Sequence, residues 1–195
     1  MKKLIFFSVV LFMMLMAACN DEQPTKITNL SNSYLPLEIG NEWRYKRYYS
    51  IDDTFDLYFK VTNKTTFNGK EYFKIEHNFY FNSVENKPID STLYIRTTDS
   101  VIYYKYINGN DYIYKIFKDT ILENNENIPY MKFSLAVHGL IQTPVGDFES
   151  IRVEEGLGTE PSISYYSNSI GLIKRAWFGG YFEMIYAKVN GKIYE

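Results

Sequence analysis

Apolar and polar residues alternate along most of the chain, and this period of two predicts β-strands. The clearest run spans 55–62, and its apolar positions are Phe55, Leu57, Phe59 and Val61. Successive side chains of a strand point to opposite faces of a sheet, so one face of this segment is expected to lie in a core. Comparable patterns predict further strands at 43–49, 72–79, 93–97, 101–107, 112–117, 131–142, 148–154, 162–167, 172–178 and 181–189.

The connections between these segments are short and rich in turn-forming residues. Asn68-Gly69 predicts a two-residue type I′ hairpin turn, because both of its positions need φ > 0. Longer polar connections are predicted at 82–90, 122–127 and 156–161. Parallel neighbours need a crossover of about a dozen residues or more, so these neighbours are expected to be antiparallel. The pattern predicts an all-β antiparallel meander that forms a curved sheet, an open half-barrel, a barrel or a sandwich.

One predicted strand breaks the alternation. Within 148–154, the apolar residues Phe148, Ile151 and Val153 do not share one face of a regular strand. We therefore expect a β-bulge or a helical turn between Phe148 and Ile151.

Aromatic residues are the compositional anomaly of the chain, which contains 19 Tyr and 14 Phe. Aromatic side chains favour the half-buried surface of a pleated sheet, which agrees with the strand pattern. The formal net charge is −2, and it becomes −4 when the two lysines of the first 18 residues are excluded. A mildly acidic domain has no electrostatic attraction for nucleic acid, so no nucleic-acid partner is predicted.

The N-terminal segment has the organisation of a secretory signal. Lys2 and Lys3 precede an apolar run from Leu4 to Met16, and small residues lead up to Cys19. A helix needs about 20 apolar residues to cross the hydrocarbon core, and this run is shorter, so we expect cleavage rather than a membrane span. Because Cys19 is the only cysteine, no internal disulfide is expected. We predict a signal peptide at 1–18, a flexible polar tether at 19–33 and a single all-β domain at 34–195.

The segment at 16–19 (MAAC) resembles the lipobox of bacterial lipoproteins, although that motif usually begins with leucine. The resemblance implies that the Cys19 thiol carries diacylglycerol and that the new amino terminus carries a fatty acid such as palmitate. Several acyl chains anchor a protein stably in a membrane, where one would not. The following NDE segment is similar to the acidic segment of outer-membrane lipoproteins of Bacteroidota, which implies a domain facing the surface rather than the periplasm. The alternative is a plain secretory signal with an incidental thiol.

Two longer segments resemble the opening and closing halves of a group of Bacteroidota lipoproteins. Residues 34–45 match the opening pattern Y-x-P-L-x-x-G-N-x-W-x-Y. Residues 143–148 match T-P-x-G-x-F, and residues 165–174 match Y-Y-x-x-x-x-G-L-I-K. The resemblance implies a curved antiparallel sheet or an open half-barrel. No activity is established for that group, so the resemblance assigns no functional residue.

The chain lacks the residue patterns of common catalytic and metal sites. His77 and His138 are its two histidines; they lie on different predicted strands, and neither has a second metal ligand at i+2 or i+4. The G-x-S-x-G, H-E-x-x-H and phosphate-loop motifs are absent. Glu154 and Glu155 are sequence neighbours that a strand sends to opposite faces, so both are interpreted as solvated charges. We predict a protein that is not an enzyme, with no catalytic residue, no metal and no cofactor.

A tyrosine-rich hairpin is the candidate binding surface. Its residues are Tyr103, Tyr104, Tyr106, Tyr112 and Tyr114. They occupy both faces, so some rings point away from the core and offer flat apolar surface that suits glycans, peptides or aromatic ligands. The alternative is packing, since cross-strand aromatic pairs stabilise a sheet by about 0.2–1 kcal/mol each. Six basic residues are expected to keep the solvent face soluble: Arg44, Lys46, Arg47, Arg96, Lys105 and Lys115.

The sequence therefore predicts a non-catalytic outer-membrane lipoprotein, anchored through Cys19, that serves as a binding or accessory module of the cell envelope. In this hypothesis a half-barrel holds an apolar ligand, by analogy with carriers of similar shape. The alternative is a surface interaction protein that recognises a glycan or a protein through its tyrosine-rich strands. An enclosed apolar cavity would favour the first hypothesis, and a filled interior the second. The sequence carries no sign of an oligomeric state.

Overall fold

The computed structural model describes residues 33–49, 54–82, 87–105, 110–118, 120–123, 130–156 and 161–195. Ser33 and Tyr34 have helical geometry, and every other regular segment in these ranges is a β-strand. The predicted all-β class is therefore confirmed. The predicted signal peptide, Cys19 and nearly all of the predicted tether lie outside the described residues.

Each predicted strand coincides with a strand of the structure. In chain order the strands are β1 (Glu42–Tyr48), β2 (Thr54–Phe67), β3 (Lys70–Asn82), β4 (Lys87–Thr98), β5 (Val101–Lys105), β6 (Tyr112–Ile116), β7 (Thr120–Glu123), β8 (Tyr130–Thr143), β9 (Gly146–Gly156), β10 (Ser162–Ser167), β11 (Gly171–Trp177), β12 (Gly180–Val189) and β13 (Lys192–Tyr194).

The described strands form one antiparallel sheet with the order β6-β5-β4-β3-β2-β1-β12-β11-β10-β9-β8-β7, and β13 pairs with β12. The first six strands make one meander and the next six make a second, as short connections require. Pairing of β1 with β12 along the whole of β1 joins the two meanders. The sheet curves until it is nearly closed into a barrel. Inner side chains of β6 therefore reach β9 and β10, as the contacts of Lys115 with Glu155 and Ser164 show.

Alternation places one apolar face of the sheet inside. In β2, Leu57, Phe59 and Val61 are buried, as the period of two predicts. Aromatic rings meet across neighbouring strands, and Trp43 packs edge-on against Phe59 with 5.5 Å between ring centroids. Such pairs contribute about 0.5–1.5 kcal/mol beyond the burial of their area. Much of the aromatic excess of the sequence is thus used in the core.

Two hairpin turns depend on residues with positive φ. Asn68 and Gly69 have φ of 50° and 75°, which confirms the predicted turn between β2 and β3. Asn190 and Gly191 repeat the arrangement with φ of 52° and 79°. The second turn leads into β13, a strand that sequence reasoning missed because three residues are too few to show alternation.

Two predicted loops are shorter than expected. β3 and β4 extend into both ends of the loop predicted at 82–90, so Pro88 lies in β4 rather than in a connection. Proline is tolerated there because it is close to the start of the strand. β7 overlaps the loop predicted at 122–127, and its four residues were too few to reveal a period of two.

The bulge or helical turn expected between Phe148 and Ile151 is not found in β9, so that prediction is wrong. β9 itself is continuous, and the pairing shifts between Val137 and Gly139 of β8. His138 is the extra residue, and Gly139 has φ of +95°, a conformation that favours glycine. The bulge of this sheet region therefore lies opposite Ser150 and Ile151, in the neighbouring strand.

The segments that resemble the opening and closing halves of Bacteroidota lipoproteins contact each other. Trp43 Nε1 donates a hydrogen bond to the Ile170 carbonyl at 2.6 Å, and the Tyr45 hydroxyl donates to the Leu172 carbonyl at 3.1 Å. Gly171 has φ of +109°, and a Cβ there would lie 3.2 Å from Trp43 Nε1. These residues hold the first strand against the turn between β10 and β11, so in this chain they stabilise the fold.

Candidate functional site

The interior of the sheet contains a buried ionic cluster made of Lys115, Glu155 and Arg175. Lys115 Nζ lies 2.7 Å from Glu155 Oε2, and the Lys115 side chain is 0% exposed. Arg175 Nη2 lies 2.5 Å from Glu155 Oε1. Two serines of β10 complete it: Lys115 donates to Ser164 Oγ at 3.0 Å, and Ser162 Oγ donates to Glu155 at 2.9 Å. One carboxylate is thus held between two cations that come from different strands.

Burial and mutual attraction set the charges of this cluster. Burial, together with nearby Arg175, lowers the pKa of Lys115 to about 7, although Glu155 opposes the shift. Burial works against the charged form of Glu155, but Lys115 and Arg175 outweigh it and lower the pKa of this carboxyl. Burial also opposes charge on Arg175, yet Tyr114 and Glu155 raise its pKa overall. Glu155 and Arg175 are therefore charged near neutral pH, and Lys115 is the member that can lose its proton there.

The prediction that Lys105 and Lys115 face solvent is wrong, because both are buried. Lys115 pairs with Ile102 across β5 and β6 and shares its inward face. Lys105 Nζ lies 4.7 Å from the centroid of the Phe67 ring, so a cation–π contact replaces part of its hydration.

The solvated interpretation of Glu155 is also wrong, although the reasoning about opposite faces is correct. Glu154 points outward and pairs with Arg152, as a partly exposed carboxylate. Glu155 points inward to Lys115 and Arg175. The sequence shows that the two carboxylates point to opposite faces of the sheet. It does not show that Lys115 and Arg175 lie beside the inner carboxylate.

A small void lies beside the cluster at the centre of the sheet. It has a volume of about 10 Å³, room for about one water molecule, and its lining includes Tyr45, Tyr114 and Tyr166. The Tyr166 hydroxyl is buried and has no hydrogen-bond partner among the described residues. Burial raises the pKa of all three phenols, so they stay protonated. Side chains rather than open space therefore occupy this part of the interior, which does not favour the hypothesis of an apolar ligand in the middle of a half-barrel.

A larger cleft lies where β1 ends and β12 begins. Its volume is about 190 Å³, and its lining residues are Arg47, Leu57, Phe79, Arg175, Trp177 and Phe182. The prediction that Arg47 faces solvent is wrong, because this half-buried side chain lines the cleft. Leu57, Phe79, Trp177 and Phe182 supply apolar surface, and the two arginines supply positive charge. We call this feature the end cleft.

The two arginines of the end cleft are placed by strand register. Arg47 of β1 lies directly opposite Phe182 of β12, and Phe182 lies directly opposite Arg175 of β11. Residues directly opposite each other share one face of a sheet, so the three form a row. With neighbouring strands about 4.8 Å apart, the two arginine Cα atoms are about 10 Å apart. A phenyl ring thus lies between two guanidinium-bearing residues.

Aromatic contacts hold the end cleft in shape. Arg47 Cζ lies 5.1 Å from the centroid of the Trp177 ring. Phe182 packs against Trp177 at 6.0 Å and against Phe79 at 5.9 Å between centroids. Burial lowers the pKa of Arg47, which means that its positive charge is incompletely hydrated. Such a surface can bind a group that is partly apolar and partly negative.

Sequence reasoning missed the end cleft. One signal for it was available: Arg47 follows Trp43 and Tyr45 at a spacing of two, so alternation places it on the same face as two core residues. Arg175 and Trp177 repeat this relation in β11. A cation on the apolar face of a predicted strand is therefore the pattern that points to an interior site.

The predicted tyrosine surface is divided by the structure. Tyr104 stacks on Tyr112 with 5.4 Å between centroids, and it meets Tyr114 edge-on at 6.3 Å. Tyr112 is 49% exposed, whereas Tyr114 lines the central void. Tyr106 lies outside the described residues.

Tyr103 lies apart from that aromatic group. The Arg96 guanidinium covers its ring at 3.9 Å from the centroid, and Arg96 in turn pairs with Asp111 at 2.8 Å. The structure thus brings Tyr104, Tyr112 and Tyr114 together and separates Tyr103 from them. Recognition of a glycan or a protein by this hairpin stays a prediction.

The two histidines lie on different strands. His77 of β3 is buried beside Phe79, whose backbone N–H donates to His77 Nδ1 at 3.2 Å, and burial lowers its pKa. His138 is the exposed bulge residue of β8, with its ring 4.8 Å from that of Tyr165. Among the described residues, no three His, Cys, Asp or Glu side chains are grouped as metal ligands would be. The same residues contain no helix long and apolar enough to span a membrane.

Comparison with known proteins supports the fold. No protein-family model matches the sequence, and no curated protein matches it. The crystal structure of a proposed lipoprotein from Parabacteroides distasonis is similar, with a TM-score of 0.50, 12% identity, and coverage of 82% of this chain and 97% of that one. A proposed exported protein with a YmcC-like fold, from Bacteroides fragilis, has a TM-score of 0.47, 11% identity, and coverage of 81% and 97%.

At these identities the likeness concerns the fold alone. The curved antiparallel sheet is shared with a protein from the Bacteroidota, so the resemblance drawn from the sequence is supported at the level of architecture. The correspondence of the segments at 34–45 and 143–174 to that group stays a prediction.

Proposed function

We propose that this chain is a lipid-anchored, non-catalytic protein of the bacterial outer membrane, and that its surface-facing domain binds a small, partly apolar ligand in the end cleft. The observation that carries the proposal is the contrast between two spaces. The central void has about 10 Å³, whereas the end cleft has about 190 Å³ and exposes apolar rings. The ligand is therefore assigned to the end of the sheet rather than to the middle of a half-barrel.

The location rests on the N-terminal sequence and on the shared fold. A charged head, an apolar run and MAAC precede an acidic segment, which together resemble the signal of a surface lipoprotein. The Parabacteroides distasonis protein of similar fold is itself described as a proposed lipoprotein. Both observations favour an envelope protein over a protein of the cell interior.

The composition of the end cleft supports a binding role. Among the described residues, the six that line the end cleft include no serine, cysteine, histidine or carboxylate that could act as a nucleophile or a general base. Lys115 is the group of the ionic cluster that titrates near neutral pH, but it is fully buried behind Glu155. Arginine and aromatic side chains instead suit recognition of a ligand.

Native mass spectrometry of the full-length protein, extracted from its host in mild detergent, tests the binding role. We expect a bound small molecule that is lost in Trp177→Ala, because this substitution removes one wall of the end cleft. Phe178→Ala is the matched control: Phe178 is the next residue, it is 78% exposed, and it does not line the cleft. An empty parent protein, or a ligand retained equally in both variants, would contradict the proposal.

Substitution of Cys19 tests the anchor. We expect Cys19→Ala to move the protein from the membrane fraction to the soluble fraction, because the substitution removes the only thiol that could carry diacylglycerol. Detergent-free fractionation followed by immunoblotting measures the distribution, and Cys19→Ser is a second variant without a lipid-accepting thiol. Persistence of both variants in the membrane fraction would show that another feature holds the protein there.

A further inference from the structure

The row of Arg47, Phe182 and Arg175 specifies the ligand more narrowly than apolar surface does. We infer that the end cleft takes a small anion with an apolar body, namely a carboxylate or a phosphate ester on a short hydrocarbon chain or ring. Arg47 and Arg175 hold its charged group, and the neighbouring rings hold its apolar part. The inference rests on the proposed function, since it names the chemical class that the same cleft binds.

Geometry is the first reason. Arg47 of β1 and Arg175 of β11 flank Phe182 of β12, which lies between them in the sheet. Strand spacing puts the Cα atoms of the two arginines about 10 Å apart. Both side chains line the same cleft, so both are within reach of one bound group. Guanidinium groups present a planar fork of N–H donors that matches carboxylate and phosphate oxygens. A single anion above Phe182 can therefore be approached from two sides.

Charge balance is the second reason. Among the described residues, the six that line the end cleft include two guanidinium groups and no carboxylate. Glu155 partly neutralises Arg175, but the same carboxylate also pairs with Lys115, so one negative charge is shared between two cations. Arg47 is half-buried, and burial lowers its pKa. The described lining thus offers an incoming anion two cations in a poorly hydrated place.

The apolar lining and the volume of the end cleft indicate the apolar part and the size of the ligand. Leu57, Phe79 and Trp177 complete the lining with Phe182, and Arg47 lies over the Trp177 ring at 5.1 Å. A volume of about 190 Å³ is below the range of about 300–1,000 Å³ that drug-sized ligands occupy. The end cleft therefore fits a short acid, or the acidic end of a larger amphiphile, rather than a complete lipid.

Titration with matched soluble probes tests the inference. The full-length protein in nonionic detergent is titrated with 4-phenylbutyrate, its neutral amide 4-phenylbutanamide, hexyl phosphate and acetate. Binding is followed by isothermal titration calorimetry, and a change in tryptophan fluorescence that is lost in Trp177→Ala assigns it to the cleft. We expect 4-phenylbutyrate and hexyl phosphate to bind about tenfold or more tightly than the amide, because a charge-assisted hydrogen bond is lost with the negative charge. Acetate is expected to bind at least tenfold more weakly than 4-phenylbutyrate, since it lacks the apolar body.

Two variants test whether the preference for acid over amide depends on the row of Arg47, Phe182 and Arg175. Arg47→Gln is expected to reduce the preference for acid over amide about tenfold, and Arg44→Gln is expected to preserve it. Arg44 is a suitable control because it lies on β1 but is exposed and paired with Glu42 at 2.8 Å. Arg175→Gln is expected to resemble Arg47→Gln; if it disturbs folding, Arg47→Gln alone decides.

The outcomes distinguish failure of the anionic ligand class from failure of the end cleft as a binding site. Equal binding of acid and amide, or an unchanged preference in Arg47→Gln, overturns the anionic class and leaves a cleft that binds apolar molecules. Acetate that binds as tightly as 4-phenylbutyrate overturns the apolar part. Failure of every probe, together with an empty protein in native mass spectrometry, overturns the end cleft as a binding site. Displacement of 4-phenylbutyrate by phosphatidylglycerol vesicles supports lipid head groups as the source of the anion, and lack of displacement supports free acids.

Discussion

Replacing Glu155 with glutamine is expected to lower the free energy of unfolding by about 3 kcal/mol or more, because two buried cations lose their counter-charge. Glutamine fills almost the same space, so the loss reports charge rather than packing. Urea unfolding of the full chain in nonionic detergent, followed by tryptophan fluorescence, measures it. Glu154→Gln is the matched control, since the neighbouring carboxylate pairs with Arg152 on the opposite face, and its loss is expected below about 1 kcal/mol. Equal losses in the two variants would contradict a special role for the buried carboxylate.

Lys115→Met separates the charge of the cluster from its packing. The folded-state pKa of Lys115 is about 7 against an ordinary value of 10.5, so the unfolded chain binds more protons between these pH values. Stability of the parent should therefore rise with pH from 7 to 9, by at most about 1.4 kcal/mol per pH unit, and this rise should be smaller in Lys115→Met. The methionine variant should also lose less stability than Glu155→Gln, because Glu155 keeps Arg175 as its partner. Parallel pH profiles for parent and variant would show that Lys115 does not titrate in this range.

Replacing Trp43 with alanine is expected to cost about 3–5 kcal/mol, the range for loss of a fully buried aromatic side chain. Trp43 is 1% exposed, and its ring N–H donates to the Ile170 carbonyl at 2.6 Å, so the variant leaves both a cavity and an unpaired acceptor. Trp43→Phe keeps a ring but removes the donor, and it should cost clearly less. Thermal unfolding followed by circular dichroism gives the ranking.

Trp177→Ala is the control for this substitution, because Trp177 is half-buried at the end cleft rather than enclosed in the core. Trp177→Ala is expected to lower the free energy of unfolding by less than half as much as Trp43→Ala, because Trp177 buries less surface. The two tryptophans thus distinguish the role of stabilising the fold from the role of forming a site. A larger loss for Trp177→Ala would mean that the cleft walls are part of the structural core.

The period of two was sufficient to predict most strands, because each long strand buries one face. It predicted the inward positions of Leu57, Phe59 and Val61 in β2. It could not assign faces in β6, where Tyr112 to Ile116 contains four bulky residues around Lys115. The pairing of β5 with β6 also shifts between Ile102 and Tyr103, so counting in steps of two across the hairpin gives the wrong face.

The ionic cluster was beyond sequence reasoning for a different reason. Glu155 and Arg175 come from β9 and β11, which flank β10, whereas Lys115 comes from β6 at the far edge of the sheet and reaches them only because the sheet curves. Curvature arises from twist and bulges rather than from composition, so no local sequence pattern predicts it. An isolated lysine or glutamate in a polar chain is most simply interpreted as exposed, and that interpretation failed where the opposite wall of the sheet supplied a partner.

We expect the pairing of β1 with β12, which joins the two meanders, to form late in folding. Glu42 pairs with Lys188, so one of the central contacts joins residues from the two ends of the domain. Contacts of such high contact order form slowly, because a long stretch of chain must be ordered before they are gained. Until the last strands arrive, each meander presents unpaired backbone groups to other molecules. Loss of the C-terminal strands should thus favour self-association over a smaller stable fold.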